Sequence, residues 1–305
     1  MQNKIILISG PTASGKSKLA IYIAKKLNAE IINADSMQVY KEIKILSTRP
    51  LDTKKIKHYF YGFVSIKKKF STGQWLRLTA KKIDNIFKKK KIPIVVGGTG
   101  LYFKSLTNGI APIPNISKID RRKIIKMHYK LGNNLFYKKL ISEDPICKKF
   151  IKCTDTQRMI RAYEVFLTTR KSIYKWQKET KPKYLPKDFI KILLNPDRNL
   201  LHEKIIKRSK TLISVKSIKE VKDFIKLKID KKLPANFIIG INEIIQHLDK
   251  KITKKELLEK IIIRTRQYAK RQFTWQRGQM QDWNRFSEPN YSKLIKKVSI
   301  FLSKS

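Results

Sequence analysis

Short apolar runs alternate with amphipathic stretches along the first hundred residues. The runs KIILIS, AEIINAD and IPIVVGGTG begin at residues 4, 29 and 92, and each ends in polar or glycine-rich residues. Between the first two runs, apolar residues recur at helical spacing on one face, namely Leu19, Ala20, Ile23, Ala24 and Leu27. Strands that alternate with helices predict a parallel α/β sheet whose ligands lie at the carboxyl ends of the strands.

The pattern changes after the proline-containing segment GIAPIPN. From about Arg121 to Tyr184 the periodicity is helical, DFIKILLN at residues 188–195 predicts another strand, and the rest of the chain is mostly helical. The predicted fold is an α/β parallel-sheet core with a helical insertion domain and a mostly helical C-terminal part. Residues 1–120 would form the first part of the core, 121–187 the insertion, and 188–305 the completion of the core with basic C-terminal helices.

Composition adds a large positive charge to this picture. Lysine and arginine number 70 against 23 acidic residues, which gives a formal net charge of +47. An excess of this size repels itself unless a polyanion offsets it, so a nucleic acid is the expected partner. An AT-rich genome would also enrich lysine, isoleucine and asparagine, and charge alone leaves both explanations open.

Cysteine usage and the lengths of the apolar runs indicate a soluble protein of a reducing compartment. Cys147 and Cys153 have no companion pair or nearby histidines, so neither a disulfide framework nor a zinc site is predicted. The apolar run in the first residues, MQNKIILISGP, is shorter than that of a signal peptide. No apolar run in the sequence approaches the roughly 18 residues that span a bilayer. We expect a cytoplasmic protein without a membrane partner.

The segment GPTASGKS at residues 10–17 has the spacing of a phosphate-binding P-loop. Its glycines permit a backbone path in which N–H groups point at phosphate oxygens, its lysine adds a positive charge, and the following helix adds its dipole. The Ser17 hydroxyl would reach a Mg²⁺ ion bound to the same phosphates. The core is therefore predicted to be a P-loop core, with a polyphosphate site formed by Gly10, Pro11, Thr12, Ala13, Ser14, Gly15, Lys16 and Ser17.

P-loops of this spacing commonly bind ATP, but other features of an ATPase or kinase are missing. Such enzymes carry an aspartate at the end of a neighbouring strand, where it holds the metal ion. The candidate strand IPIVV runs instead into Gly97-Gly98-Thr99, and the acidic residue at a strand end is Asp35. By position alone, Asp35 is equally well explained as a helix N-cap and as a catalytic carboxylate.

Five segments together resemble one enzyme family. GPTASGKS, INADSMQVY, GGTGLYFKSL, DTQRMIRAYEVF and TRQYAKRQFTW occur in the order and approximate spacing of the tRNA dimethylallyltransferases, also called tRNA isopentenylpyrophosphate transferases. The resemblance implies transfer of a dimethylallyl group from dimethylallyl diphosphate, held by the P-loop, to N6 of adenosine 37 beside the tRNA anticodon, with Mg²⁺ assisting. It also implies a monomer that acts on tRNAs reading codons that start with U.

The resemblance further implies roles for residues outside the loop. Asp35 would be the general base that accepts the proton of the exocyclic amine, and Thr99 would contact the reacting nucleotide as a second catalytic residue. Contacts with the anticodon stem-loop must offset the cost of extruding the adenosine. The residues implied in these contacts are Asp35, Ser36, Met37, Gln38, Thr99, Arg121, Gln157, Arg158, Met159, Ile160, Arg161, Lys270, Arg271 and Arg277.

Two of the five segments combine basic and apolar residues in ways that suit RNA binding. In DTQRMIRAYEVF the basic residues lie opposite an apolar helical face, as they would on any solvated helix. In IIIRTRQYAKRQFTWQR, five basic residues lie among Tyr268, Phe273 and Trp275, which suits phosphate contact and base stacking, although these aromatics equally suit a core. Binding through phosphates would weaken steeply with salt.

The chain departs from the family pattern in two places. Gly240 is followed by Ile-Asn-Glu where the family usually has tyrosine and a basic residue, and the lysine-rich segment from Arg198 to Leu233 lacks an expected glycine. No tRNA contact is predicted in either place.

Three other functions stay open from the sequence. An adenylate isopentenyltransferase acting on free nucleotides would leave the helical insertion and the basic C-terminal helix with little purpose. A small-molecule P-loop kinase would use Asp35 to hold an acceptor hydroxyl. A non-catalytic RNA-binding protein with a decayed P-loop is disfavoured by the intact Lys16, Ser17 and Asp35.

Overall fold

The computed structural model describes residues 3–50 and 56–304. The chain divides into two compact units, one of residues 1–107 and 184–305 and one of residues 108–183. The strands are β1 (Ile5–Ser9), β2 (Ala29–Asn33), β3 (His58–Tyr59), β4 (Ile92–Gly97), β5 (Phe189–Leu194) and β6 (Asn284–Phe286). The α-helices are α1 (Lys16–Lys26), α2 (Thr72–Lys88), α3 (Gly100–Asn108), α4 (Lys118–Glu143), α5 (Thr156–Thr169), α6 (Ile173–Lys178), α7 (Arg198–Leu212), α8 (Val215–Lys226), α9 (Ile241–Leu248), α10 (Lys254–Gln279) and α11 (Tyr291–Ser303).

The larger unit is built on one parallel sheet, which confirms the predicted α/β class. Among the described residues the strand order is β3-β2-β4-β1-β5-β6. The inner strands are mostly apolar because both faces of the sheet are covered. Ile6 and Ile8 pack with α1 and α11 on one face, and Leu7 packs with α2 and α3 on the other.

The strand register brings three loops together at the carboxyl edge of the sheet. Ser9 at the end of β1 pairs with Gly97 of β4, and Asn33 at the end of β2 pairs with Val96. A Cβ at Gly97 would lie 2.1 Å from the carbonyl group of Ala34, so only glycine permits this close approach. The loops that follow β1, β2 and β4 therefore lie side by side.

Helices α8, α9 and α10 form a further layer of the larger unit against the chain that follows β2. The Glu220 carboxylate of α8 accepts hydrogen bonds from the backbone N–H groups of Lys44, Ile45 and Leu46. At the start of α9, Gly240 has a φ of 102° and donates its N–H to Glu243 Oε2 at 2.9 Å. Glu243 also forms an ion pair with Arg264 of α10. The residues that differ from the family pattern after Gly240 therefore make contacts within the protein.

The smaller unit is helical. Helix α4 is interrupted at Gly132, where φ is 70°, and its buried side chains pack against α5. The predicted insertion over residues 121–187 overlaps this unit, and its bounds stay a prediction. Cys147 and Cys153 are free thiols. Among the described residues of the whole chain, no helix combines the length and apolar character that crossing a membrane requires.

Candidate active site

The P-loop connects β1 to α1 and has the backbone conformation of an anion-binding turn. Ala13 and Gly15 have left-handed φ values of 63° and 88°, and the Ser14 N–H donates to the Pro11 carbonyl at 3.2 Å. Gly15 is the N-cap of α1, and no side chain of the described residues caps the first turn of that helix. The first N–H groups of α1 and the positive end of its dipole are therefore available to phosphate oxygens.

Lys16 is the first residue of α1 and turns back over the loop. Its Nζ donates to the Pro11 carbonyl at 3.1 Å. Burial lowers the pKa of Lys16 to about 8; the negative charge of Asp35 opposes this shift, and the positive charge of Arg208 adds to it. Because the charges of Asp35 and Arg208 both shift the pKa of Lys16, the three side chains form one group of interacting charges.

Arg208 on α7 is a site residue that the sequence did not reveal. Its Nη2 donates to Thr48 Oγ1 at 2.5 Å, and its buried Nε has no hydrogen-bond partner among the residues that the structure describes. Burial lowers the pKa of Arg208, and the charge of Asp35 opposes that shift. Arg208 is partly buried, and an anionic ligand could pair with its Nε in addition to the charge of Asp35. In the sequence, Arg208 is one of many cations in the lysine-rich segment from Arg198 to Leu233, and no pattern distinguishes it.

Asp35 lies just beyond the end of β2, with one carboxylate oxygen anchored. Its own N–H donates to Asn33 Oδ1 at 2.8 Å, and its Oδ1 accepts the Met37 N–H at 2.9 Å. The residues that follow form turns, and no α-helix begins there, so Asp35 is not the N-cap of an α-helix. Among the described residues, Asp35 Oδ2 makes no hydrogen bond. One oxygen holds the side chain in place while the other is open for chemistry.

Thr99 joins the loop after β4 to the loop after β2. Its Oγ1 accepts the Ser36 N–H at 2.9 Å and contacts Ser36 Oγ at 3.3 Å, while its own N–H donates to the Ala34 carbonyl at 3.1 Å. Thr99 and Ser36 are thus held beside Asp35. Gln38, in the same turn, is anchored by its Nε2, which donates to the Ser47 carbonyl at 3.0 Å, and Met37 packs against the neighbouring apolar cluster.

Three tyrosines surround this carboxylate. Burial raises the pKa of Tyr61, Tyr102 and Tyr268, and in each case the negative charge of Asp35 adds to the shift. Tyr102 also stacks on Trp75 with ring centroids 4.3 Å apart. The surroundings of Asp35 therefore combine two cations with protonated phenols.

On α10, the basic and aromatic residues differ in exposure, although the Arg271 guanidinium lies 5.9 Å from the centre of the Tyr268 ring. Lys270, Arg271 and Arg277 are exposed. Phe273 packs against α7, and Trp275 packs against the core on the α2 and α3 face of the sheet. The aromatic side chains therefore contribute to packing, which leaves the exposed cations as the part of α10 suited to phosphates.

In the smaller unit, two of the implied arginines share one buried carboxylate. Glu164 on α5 is fully buried, and its two oxygens lie 3.3 Å from Arg121 Nε and 3.4 Å from Arg161 Nη1. The remaining implied residues differ in exposure: Gln157 and Arg158 are exposed, and Ile160 is partly buried. Met159 is fully buried in the core of this unit, so a contact with RNA there would have to use its backbone.

Comparisons with known proteins agree with one another. A family model described as IPP transferase matches residues 38–279, and one described as isopentenyl transferase matches residues 3–62. The chain is 53% identical over 306 residues to a tRNA dimethylallyltransferase of Pelagibacter ubique, which covers 99% of this chain and 98% of the relative. It is 44% identical over 285 residues to a tRNA dimethylallyltransferase of Rickettsia massiliae, covering 92% of this chain and 78% of the relative.

Solved structures give the same result. The full-length tRNA isopentenylpyrophosphate transferase of Bacillus halodurans superposes with a TM-score of 0.71 at 27% identity, covering 99% of this chain and 96% of that one. A eukaryotic dimethylallyltransferase acting on tRNA superposes with a TM-score of 0.79 at 29% identity, covering 90% of this chain and 69% of that one.

Proposed function

Because this chain belongs to the tRNA dimethylallyltransferase family and is a tRNA prenyltransferase, we propose that it transfers the dimethylallyl group of dimethylallyl diphosphate to N6 of adenosine 37. Its substrates are the tRNAs that read codons starting with U, and it acts in the cytoplasm as a monomer. The observation that carries the proposal is the set of charges at the carboxyl edge of the sheet, where the P-loop lies. Asp35 has one carboxylate oxygen without a hydrogen bond among the described residues, and its negative charge acts on two cations, Lys16 and Arg208.

Each of these charges has a task in the transfer. The bond between the allyl carbon and the diphosphate oxygen breaks, and its electron pair leaves with the diphosphate. The P-loop amides, Lys16 and Arg208 stabilise that developing negative charge. The N6 nitrogen forms the new bond to the allyl carbon, and Asp35 accepts the proton that N6 loses. The reaction needs no third phosphate, and this agrees with the absence of a strand-end aspartate after IPIVV.

A Mg²⁺ ion fits the donor set at the P-loop. Among the described residues, no group of three or more histidines, cysteines, aspartates or glutamates gathers to hold a metal. Mg²⁺ suits such a site, since it takes few protein ligands where phosphates and water supply the rest, and the Ser17 hydroxyl would be its protein ligand. When bound, it would neutralise charge on the diphosphate.

The two anions bind on different parts of the chain in this proposal. The P-loop edge takes the diphosphate, while the exposed cations of α10 take tRNA phosphates. In the helical insertion, Arg121 and Arg161 take further tRNA phosphates, held in orientation by Glu164. Phosphate contacts of this kind fix the position of the RNA without reading its sequence.

Transfer of label tests the proposal directly. Purified protein, Mg²⁺ and labelled dimethylallyl diphosphate are incubated with an unmodified tRNA that has adenosines at positions 36 to 38, and with the same tRNA carrying guanosine at position 37. We expect label in the first tRNA alone, recovered as N6-(dimethylallyl)adenosine after digestion. Label on free adenosine monophosphate would identify an adenylate isopentenyltransferase, and ATP consumption without labelled tRNA would identify a kinase.

The pH dependence of diphosphate use should follow Lys16. Because the protonated amine is the active form and its pKa is lowered to about 8, kcat/KM for dimethylallyl diphosphate is expected to fall as pH rises above about 8. The measurement is initial rate against pH at low diphosphate concentration. A Lys16→Arg variant keeps its charge through this range and should lose the alkaline decline. The same decline in both proteins would contradict the assignment.

Lys270→Ala should weaken tRNA binding without affecting use of the diphosphate. Removal of one phosphate contact is expected to reduce the slope of log binding constant against log salt by about 1. The matched control is Lys255→Ala, which changes another exposed lysine near the start of the same helix. Titrations of tRNA at several salt concentrations compare the two variants, and equal slopes would remove Lys270 from the tRNA-binding surface.

A further inference from the structure

One buried side-chain amide bridges the P-loop and the loop after β4. Gln272 on α10 is only 6% exposed. Its Oε1 accepts the Thr12 N–H at 2.8 Å, and its Nε2 donates to the Gly98 carbonyl at 3.0 Å. Thr12 belongs to the diphosphate loop, while Gly98 directly precedes Thr99. The two loops that would hold the leaving group and the acceptor are thus joined through a single residue.

The chemistry of the bridge requires an amide. A glutamine offers one acceptor and a donor group on the same planar unit, which matches one backbone N–H and one backbone carbonyl. Both backbone groups would otherwise be buried without these partners, which is unfavourable. The packing is built around this contact, since a Cβ at Gly98 would lie 2.2 Å from Gln272 Nε2. Gln272 therefore does more than fill space.

We propose that Gln272 is a positioning residue, which sets the distance between the bound diphosphate and the acceptor nucleotide by fixing the P-loop relative to Thr99. The inference rests on the proposed prenyl transfer. Reacting atoms must meet at about 3–3.5 Å, and a displacement of about 1 Å can cost on the order of a hundredfold in rate. Gln272 touches neither substrate; it acts through Thr12 and the Gly98–Thr99 backbone.

A Gln272→Met variant tests the bridge, because methionine has a similar length but neither hydrogen-bonding group. We expect kcat for prenyl transfer to fall by about 10- to 100-fold, while KM for tRNA and for dimethylallyl diphosphate changes by less than about threefold. The matched control is Gln276→Met, one turn further along the same helix. Gln276 is also buried, and within the described part of the chain its Oε1 has no hydrogen-bond partner. The substitution should leave kcat unchanged.

A double-mutant cycle with Thr99→Ala separates positioning from general loss of stability. If Gln272 acts through the Thr99 loop, the fold-loss of the double variant is smaller than the product of the two single losses. A Gln272→Glu variant keeps an acceptor for Thr12, but its ionised carboxylate has no donor for the Gly98 carbonyl and adds a negative charge beside the P-loop, so kcat should also fall. Thermal unfolding of each variant sets a temperature at which all are folded.

The results distinguish the positioning role of Gln272 from the proposed prenyl transfer on which it rests. An unchanged kcat in Gln272→Met, or fold-losses that multiply as those of independent changes do, would overturn the positioning role while the wild-type protein still transfers label. A wild-type protein that transfers no label to tRNA would overturn the proposed function, and the inference with it.

Discussion

Replacing Asp35 by asparagine is expected to lower the rate of prenyl transfer by on the order of 10²–10⁴. The substitution preserves the shape of the side chain and the acceptor that receives the Met37 N–H at 2.9 Å, so the turn after β2 should persist. It removes the group that accepts the N6 proton. Single-turnover rates with saturating tRNA and diphosphate measure the chemical step apart from binding.

The asparagine variant should bind tRNA at least as tightly as the wild type, since it keeps the shape and the Oδ1 acceptor of Asp35 and removes a negative charge that would repel RNA phosphates. An Asp35→Ala variant, which also removes the acceptor for Met37, serves as the comparison. If Asp35→Asn retained the full single-turnover rate, the general base would have to be another group. The prenyltransferase function itself would survive that result.

Replacing Lys16 by methionine is expected to reduce kcat by on the order of 10²–10³, because one preorganised charge that stabilises the leaving diphosphate is removed. The matched control is Lys18→Met, an identical change at an exposed position on the same helix. Steady-state rates with labelled dimethylallyl diphosphate compare the two variants. Equal rates in Lys16→Met and Lys18→Met would mean that Arg208 and the loop amides suffice without Lys16.

The sheet was predictable from the sequence because its inner strands are long apolar runs covered on both faces. The edge strands were not, since β3 at His58–Tyr59 and β6 at Asn284–Phe286 are too short to show a period. The fold class needed only the inner runs and the helical patterns between them. The fold class was therefore predicted correctly although the strands β3 and β6 were not.

The candidate site was predictable where its residues directly follow an apolar run of the sequence. The P-loop and Asp35 each lie at the end of an apolar run, which marks them in the sequence. Arg208 and Gln272 carry no such mark, because Arg208 reaches Thr48 across 160 positions and Gln272 reaches Thr12 across 260. Only the folded chain brings those partners together. The catalytic and tRNA-binding roles of all these residues stay predictions until the variants are measured.

The tyrosines around Asp35 bear on whether the reactive allyl group could alkylate the protein itself. An allylic diphosphate that ionises produces an electrophile able to alkylate any nearby nucleophile, including the protein. Phenolate oxygens would be attacked readily, whereas protonated phenols are poor nucleophiles. Since the pKa of Tyr61, Tyr102 and Tyr268 is raised, these side chains stay protonated even in alkaline solution, where an ordinary tyrosine begins to ionise. In the proposed transfer, the tyrosines around Asp35 would therefore supply no phenolate to compete with N6 for the allyl group, even at alkaline pH.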